Sequence, residues 1–138
     1  MKILLDTNII LDIALGRPDY SEKVRELISY LNREQILFFV SATTVTDINY
    51  ILRKSGNHTS ALEFLNHFLL HADIAGVNKE VILNALNSGL SDFEDAVQIQ
   101  CAVLNYISII ITRNKSDFKT KEISVLTPEE FLVYQKSK

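Results

Sequence analysis

An α/β fold with a mostly parallel sheet of four or five strands, covered by helices on both faces, is predicted by three features of this chain. Short apolar runs alternate with stretches of helical spacing from end to end. The runs are continuous rather than alternating, the pattern of strands buried on both faces. At 138 residues the chain can bury a real core, and it shows no linker, repeat or low-complexity segment, so 1–138 reads as one domain.

Each element has a local reason. Lys2-Ile-Leu-Leu5 is short, apolar and bounded, a buried strand. From Asn8 to Leu15 the apolar residues Ile9, Ile10, Ile13 and Ala14 fall at helical spacing, and Gly16 and Pro18 stop the helix. Asp19, with Glu22 three residues on, reads as a capping box for a second helix whose inner stripe is Val24, Leu27, Ile28 and Leu31. Ile36 to Val40 is a strand rich in aromatic and branched residues. Ser41 or Thr43 can cap a helix carrying Val45, Ile48, Ile51 and Leu52 that ends near Gly56. A helix over about Thr59 to Leu70 follows, then a weaker strand from Ala72 to Val77. Asn78 caps a helix that Gly89 ends, and Ser91 with Glu94 reads as a capping box for a helix to about Asn105. Ile107 to Ile111 is the strongest strand pattern, and Ser124 to Leu126 a fifth. Thr127 as cap, Pro128 at the first helical position and Glu129-Glu130 behind them open the last helix.

Acids stand where strands end. Asp6 follows the first strand, Asp47 lies after the second, Asp92 and Asp95 open a helix, and Asp117 follows the strongest strand. In a parallel sheet the ligand site lies outside the carboxyl ends of the strands. Each acid has a plain alternative: Asp6 caps a helix, Asp92 and Glu94 favour a helix N-terminus, Asp117 is a solvated loop acid. Asp95 is already about a turn into its helix, and Asp47 sits mid-helix, where Asp is disfavoured. Two carboxylates about 4 Å apart repel by roughly 4 kcal/mol at an effective dielectric near 20, so a converged set asks for a cation. An all-oxygen set without His or Cys favours Mg²⁺ or Mn²⁺, which can activate water and clamp phosphodiester oxygens. Arg113, Lys115, Lys119 and Lys121 surround Asp117, with Arg53 and Lys54 as further rim candidates; cations beside such a site suit a polyanionic substrate. His67 and His71 are four apart but lack the accompanying Glu of a zinc-protease motif. No apolar run approaches a membrane span of about 20 residues. Met1-Lys2 leads straight into a strand with no signal peptide apparent, and Cys101, the single cysteine, lies in an apolar helical pattern as a core residue; both fit a reducing cytoplasm. The net charge of −3 argues against a protein that binds nucleic acid over its whole surface, while leaving room for a local basic patch beside an acidic site.

Taken in order, Leu4-Leu-Asp6-Thr-Asn8, Ser41-Ala-Thr-Thr-Val-Thr-Asp47-Ile, Asp92-Phe-Glu-Asp95-Ala, Ile111-Thr112-Arg-Asn114-Lys-Ser-Asp117-Phe118 and Val125-Leu-Thr-Pro128 resemble the PIN-domain nucleases. The resemblance spans nearly the whole chain. It implies a parallel sheet sandwiched between helices in three α/β/α layers, and a Mg²⁺- or Mn²⁺-dependent ribonuclease with three or four acids. Small bacterial members include VapC-type toxins, held by a partner antitoxin and assembled as dimers. Asp6 matches the first metal ligand, Asp95 the third acid with Asp92 as an added neighbour, and Asp117 the fourth acid or a loop residue near it. Asn8, Thr112 and Asn114 match supporting polar positions, and Arg113 and Lys115 are the cations expected to steady a phosphate. Asp47 departs from the family at large, where Glu is usual, and is one methylene shorter. The implied activity is hydrolysis of RNA phosphodiesters, with an antitoxin and a second copy of the chain as partners; the alternative is a catalytically weak module binding RNA or protein. A haloacid-dehalogenase-type phosphatase would need a second Asp two residues after Asp6, where Asn8 stands, and a response-regulator receiver would need an acidic pair after the first strand.

Overall fold

The computed structural model describes residues 1–56 and 58–138. Its sheet has five strands, β1 (Lys2–Leu5), β2 (Leu37–Ser41), β3 (Asp73–Ala75), β4 (Ile109–Ile111) and β5 (Ser124–Leu126), in the order β3-β2-β1-β4-β5. All four pairings are parallel. Among the described residues seven α-helices connect and flank them: α1 (Thr7–Ala14), α2 (Ser21–Arg33), α3 (Ala42–Lys54), α4 (His58–Phe68), α5 (Lys79–Leu86), α6 (Phe93–Leu104) and α7 (Pro128–Lys136). Among the described residues no helix is long and apolar enough to cross a membrane.

Strand periodicity builds two cores from one sheet. Ile3 and Leu5 of β1 point to one face and Leu4 to the other, and all three are fully buried. The first face packs on α1, α2, α3, α4 and α7, with Leu27, Ile48 and Phe131 at its centre. The second packs on α5 and α6, through Val81, Ala85, Ile99 and Cys101. The topology requires this split. The chain runs β1, β2, β3 outward along one half of the sheet, then returns to the far side of β1. Right-handed crossovers put the helices of the outward run on one face and those of the return on the other.

The helix starts show which sequence signals operate. Asn78 caps α5 and Ser41 caps α3 as expected. Thr127 and Glu130 close a full capping box on α7, worth about 1 kcal/mol. Two expectations are corrected. Asp19 and Glu22 form no box, because α2 starts at Ser21, which puts Tyr20 rather than Asp19 at the cap position, and no side-chain bond is made there. Ser91 does not cap α6; Asp92 does, its Oδ1 accepting from the Asp95 backbone N–H at 3.0 Å, and Glu94 lies one position before Asp95 in the first turn.

The reversal of strand order falls between β1 and β4, the position where a parallel sheet opens a crevice. Asp6 and Thr112 are the next residues on those two strands. The Asp6 N–H donates to the Ile111 carbonyl at 2.9 Å, so β1 and β4 end together.

Candidate active site

Asp6 is the centre of the crevice. It is mostly buried and caps α1 through a bond from the Thr7 N–H to Oδ1 at 2.8 Å. Gln98 Nε2 donates to the same oxygen at 3.1 Å, and the Thr112 hydroxyl donates to Oδ2 at 2.8 Å. A carboxylate has about four acceptor positions, so three are taken and one on Oδ2 stays open. The hydroxyl of Thr112 is itself held by the Asn114 N–H at 3.2 Å and Asn8 Nδ2 at 3.5 Å. Asn8 Oδ1 accepts from the Arg113 N–H at 3.3 Å. Asn8, Thr112 and the Asn114 backbone thus form one chain of bonds that ends on Asp6.

Asp95 comes from the opposite helix layer. It sits in the first turn of α6, half-buried, at the shared edge of two openings. One is a groove of about 620 Å³ bordered by Asp6, Asp47 and Asp95 with Tyr50 and Phe93. The other, about 290 Å³, is bordered by Asp92, Asp95, Asp117 and Lys119. Burial pushes the Asp95 carboxyl up to about 6, and the charges of Asp92, Asp6, Asp117 and Glu94 all push the same way. Four acids therefore act on Asp95 within electrostatic range. Asp92 and Asp117 are both exposed, Asp117 on a 3₁₀ turn at Lys115–Asp117.

Asp47 stands apart from that group. It projects from the middle of α3 into the same groove, largely exposed, and its carboxyl is raised by desolvation alone. The two cations expected beside the acids are both engaged. Arg113 meets Asp12 through Nε at 3.1 Å and Nη2 at 3.3 Å, and Lys115 meets Glu130 at 2.9 Å. Lys121 lies elsewhere, beside Ile107, Ser108 and Ser124 at the strand starts. Lys54 rests 4.8 Å over the ring of Tyr50 at the groove rim. His67 and His71 face each other edge to face at 5.8 Å, and neither borders the two openings that Asp95 shares.

Sequence reasoning missed Gln98, Thr44 and Asp12. Gln98 is 5% exposed and spends both amide hydrogens, on Asp6 and on Thr44 Oγ1, each at 3.1 Å. Thr44 is tied in turn to Thr7 and Ser41, both at 2.9 Å, so a network of buried hydroxyls braces α1 against α3 under the site. A signal was present: Gln98 and Gln100 interrupt the otherwise apolar buried run from Ala96 to Ala102. Gln98 Oε1 is buried without a hydrogen-bond partner among the described residues.

A family profile for the PIN domain matches residues 2–116. The chain belongs to the PIN-domain family. Solved structures agree with this PIN domain on the fold. A chain of the VapBC2 complex from Rickettsia felis, bound to a promoter DNA fragment, aligns with a TM-score of 0.73 at 15% identity, covering 91% of this chain and 97% of that one. A toxin–antitoxin complex from Klebsiella pneumoniae gives 0.67 at 22% identity over 91% and 97%. The sarcin-ricin-loop-cleaving toxin VapC20 of Mycobacterium tuberculosis gives 0.63 at 12% identity over 78% and 86%. At these identities the likeness is one of fold. No curated protein matches the chain by sequence.

The donor set of this PIN domain suits a hard divalent cation in chemistry: oxygen only, an open position on Asp6, and an Asp95 on which four acids act. It is not a closed cage. Among the described residues no three His, Cys, Asp or Glu side chains are gathered tightly enough to hold an ion by themselves. An ion that keeps several of its waters fits such an open arrangement better than one that needs a full protein shell.

Proposed function

We propose that the chain is a Mg²⁺- or Mn²⁺-dependent endoribonuclease that hydrolyses RNA phosphodiesters, and that it acts as the toxin of a toxin–antitoxin pair. The observation that carries this reading is the gathering of acids at the switch point of a PIN-domain sheet: Asp95 lies at the shared edge of two openings, with Asp6 bordering one and Asp92 and Asp117 the other. Such crowding costs stability and makes sense at a site built for a cation. The toxin role and the antitoxin partner rest on the kinship in fold with the VapBC and Klebsiella complexes, and RNA as substrate on the VapC20 likeness. A homodimer and a cytoplasmic location follow from the same reading.

Asp6 and Asp95 would hold the ion, with Asp92 and Asp117 completing its acidic surroundings. When bound, it supplies positive charge to the phosphodiester oxygens and acidifies water. The protein's own part is orientation. Thr112 and Gln98 fix the Asp6 carboxylate from two sides, so its open position points one way. Lys115 steadies a phosphate; its partner Glu130 is a surface carboxylate, and such pairs exchange readily. Asp47 faces the groove from across it and orients water. Lengthening it by Asp47→Glu is expected to raise kcat, by up to about tenfold, the equivalent of ~1.4 kcal/mol; an unchanged kcat would remove Asp47 from the mechanism.

The test is incubation of the pure protein with single-stranded RNA and Mn²⁺. Cleavage is expected, and cleavage that persists in the double variant Asp6→Asn, Asp95→Asn would end the proposal. The exposed, uncoupled position of Asp47 favours one second reading, a weakly catalytic module that binds RNA or a protein. Calorimetric titration separates the two, since the module predicts no Mn²⁺ uptake at millimolar concentration.

A further inference from the structure

Asp12 lies near the site, and the proposed chemistry does not use it. It lies on α1, fully buried at 0% exposure, and binds two guanidinium groups. Arg17 Nη1 reaches its Oδ1 at 3.0 Å from the turn after α1. Arg113 reaches it from the loop after β4 with two donors, Nε to Oδ2 at 3.1 Å and Nη2 to Oδ1 at 3.3 Å. The free face of the Arg113 guanidinium is covered by Tyr20, 4.1 Å from the ring centre. A fork with two bonds on one edge and an aromatic ring on one face is held in a single orientation.

We propose that Arg113 is a positioning residue, and that Asn8 and Asp12 together form a two-point clamp on the loop after β4 that holds Thr112 against Asp6. The two residues are four apart, one turn of the same helix. Asn8 grips the backbone N–H of Arg113 at 3.3 Å and Asp12 grips its side chain. Thr112, the preceding residue, gives its hydroxyl to Asp6 Oδ2 at 2.8 Å. Motion of Arg113 therefore moves the bond that aims the open position of Asp6. This assigns Arg113 a task other than the phosphate contact expected from sequence, and it rests on the reading that this edge cleaves RNA.

The two roles differ in kinetics. If the Arg113 side chain held a phosphate, Arg113→Gln would raise KM and lower the salt dependence of RNA binding by about one unit of log–log slope. If it positions Thr112, the same substitution lowers kcat, by about 10- to 100-fold, with KM and salt slope unchanged. Asp12→Asn is the decisive partner, because a side chain with no exposure cannot touch RNA. The clamp predicts that both variants show the same loss of kcat with unchanged KM, that their effects do not add in the double variant, and that Arg113→Lys recovers part of the rate. A raised KM and flatter salt slope in Arg113→Gln, with Asp12→Asn near wild type, overturns the clamp. Amide hydrogen exchange on the intact chain gives a readout free of RNA. Arg113 and Asn114 should lose protection in Arg113→Gln while β1 and β4 keep theirs; unchanged protection also overturns the proposal. Should Asp12→Asn fail to fold, Arg113→Gln carries both measurements, since its side chain is already a quarter exposed, at 25%. A wild-type chain that cleaves no RNA with Mn²⁺ counts against the nuclease reading, and the clamp is then decided by exchange alone.

Discussion

Asp6→Asn is expected to lower RNA cleavage by roughly 10³-fold while leaving the fold in place. The two halves of that expectation come from different parts of one side chain. Asn caps helices about as well as Asp, so the bond from the Thr7 N–H to Oδ1 persists. Gln98 still donates to that oxygen. What changes is Oδ2, which becomes an amide facing the Thr112 hydroxyl and loses the open acceptor position with its charge. The fold loses one charge-assisted bond and gains relief from repulsion with Asp95, so the net change in stability stays within about 1 kcal/mol. Steady-state cleavage of single-stranded RNA alongside a thermal melt checks both. A variant that melts normally and still cleaves would show that Asp6 is a cap and nothing more.

That dual use explains how the site could be read from sequence in part only. Asp6 looked like a cap and like a ligand because it is placed to be both. The strands were legible because a parallel sheet covered on both faces writes itself as continuous apolar runs, and β1 and β5 fall where those runs do. Helix ends were less so. The chain leaves α2 through Gln35 and α6 through Tyr106, both at positive φ (56° and 58°), with Ile36 and Ile107 bonding back to Leu31 and Ala102 at 2.9 Å. Glycine usually marks such a turn, and here it does not. At the start of α6 the box pattern Ser91–Glu94 competed with Asp92, and only backbone geometry decides between caps one residue apart. The partners of Asp12 and Gln98 were hidden for a different reason. Asp12 meets Arg113 across 101 positions of sequence, and Gln98 meets Asp6 across 92. Local pattern carries no information about such pairs. The same distance hid the commitment of Arg113, which beside Asp117 in sequence resembled a free cation.

Asp95→Asn is expected to abolish activity and to stabilise the metal-free protein at pH 7 to 8. The Asp95 carboxyl is raised to about 6, against an ordinary 3.8 in the unfolded chain. Between those values the folded state binds more protons, so stability falls as pH rises from about 4 through 6, and above that the full cost of the charge is present. Below about 4 the carboxyl is neutral in both states and the cost vanishes. Once solvent screening is allowed for, the cost is of order 1–2 kcal/mol, larger than the few tenths an acid in a helix's first turn contributes. The variant should therefore melt a few degrees higher than wild type at pH 7.5 and together with it near pH 4. Mn²⁺ should reverse the order. An ion that binds only the folded state adds about 2.7 kcal/mol at a concentration 100 times its Kd, and the variant has lost one of the two carboxylates that would hold it. The ion also competes with protons, so cleavage should fall on acidification with a midpoint at or below pH 6. Melting curves of the two proteins with and without Mn²⁺, at pH 4 and 7.5, read all of this. Curves that run parallel under all four conditions would mean that Asp95 bears no unrelieved charge and that the acids around it do not form a site.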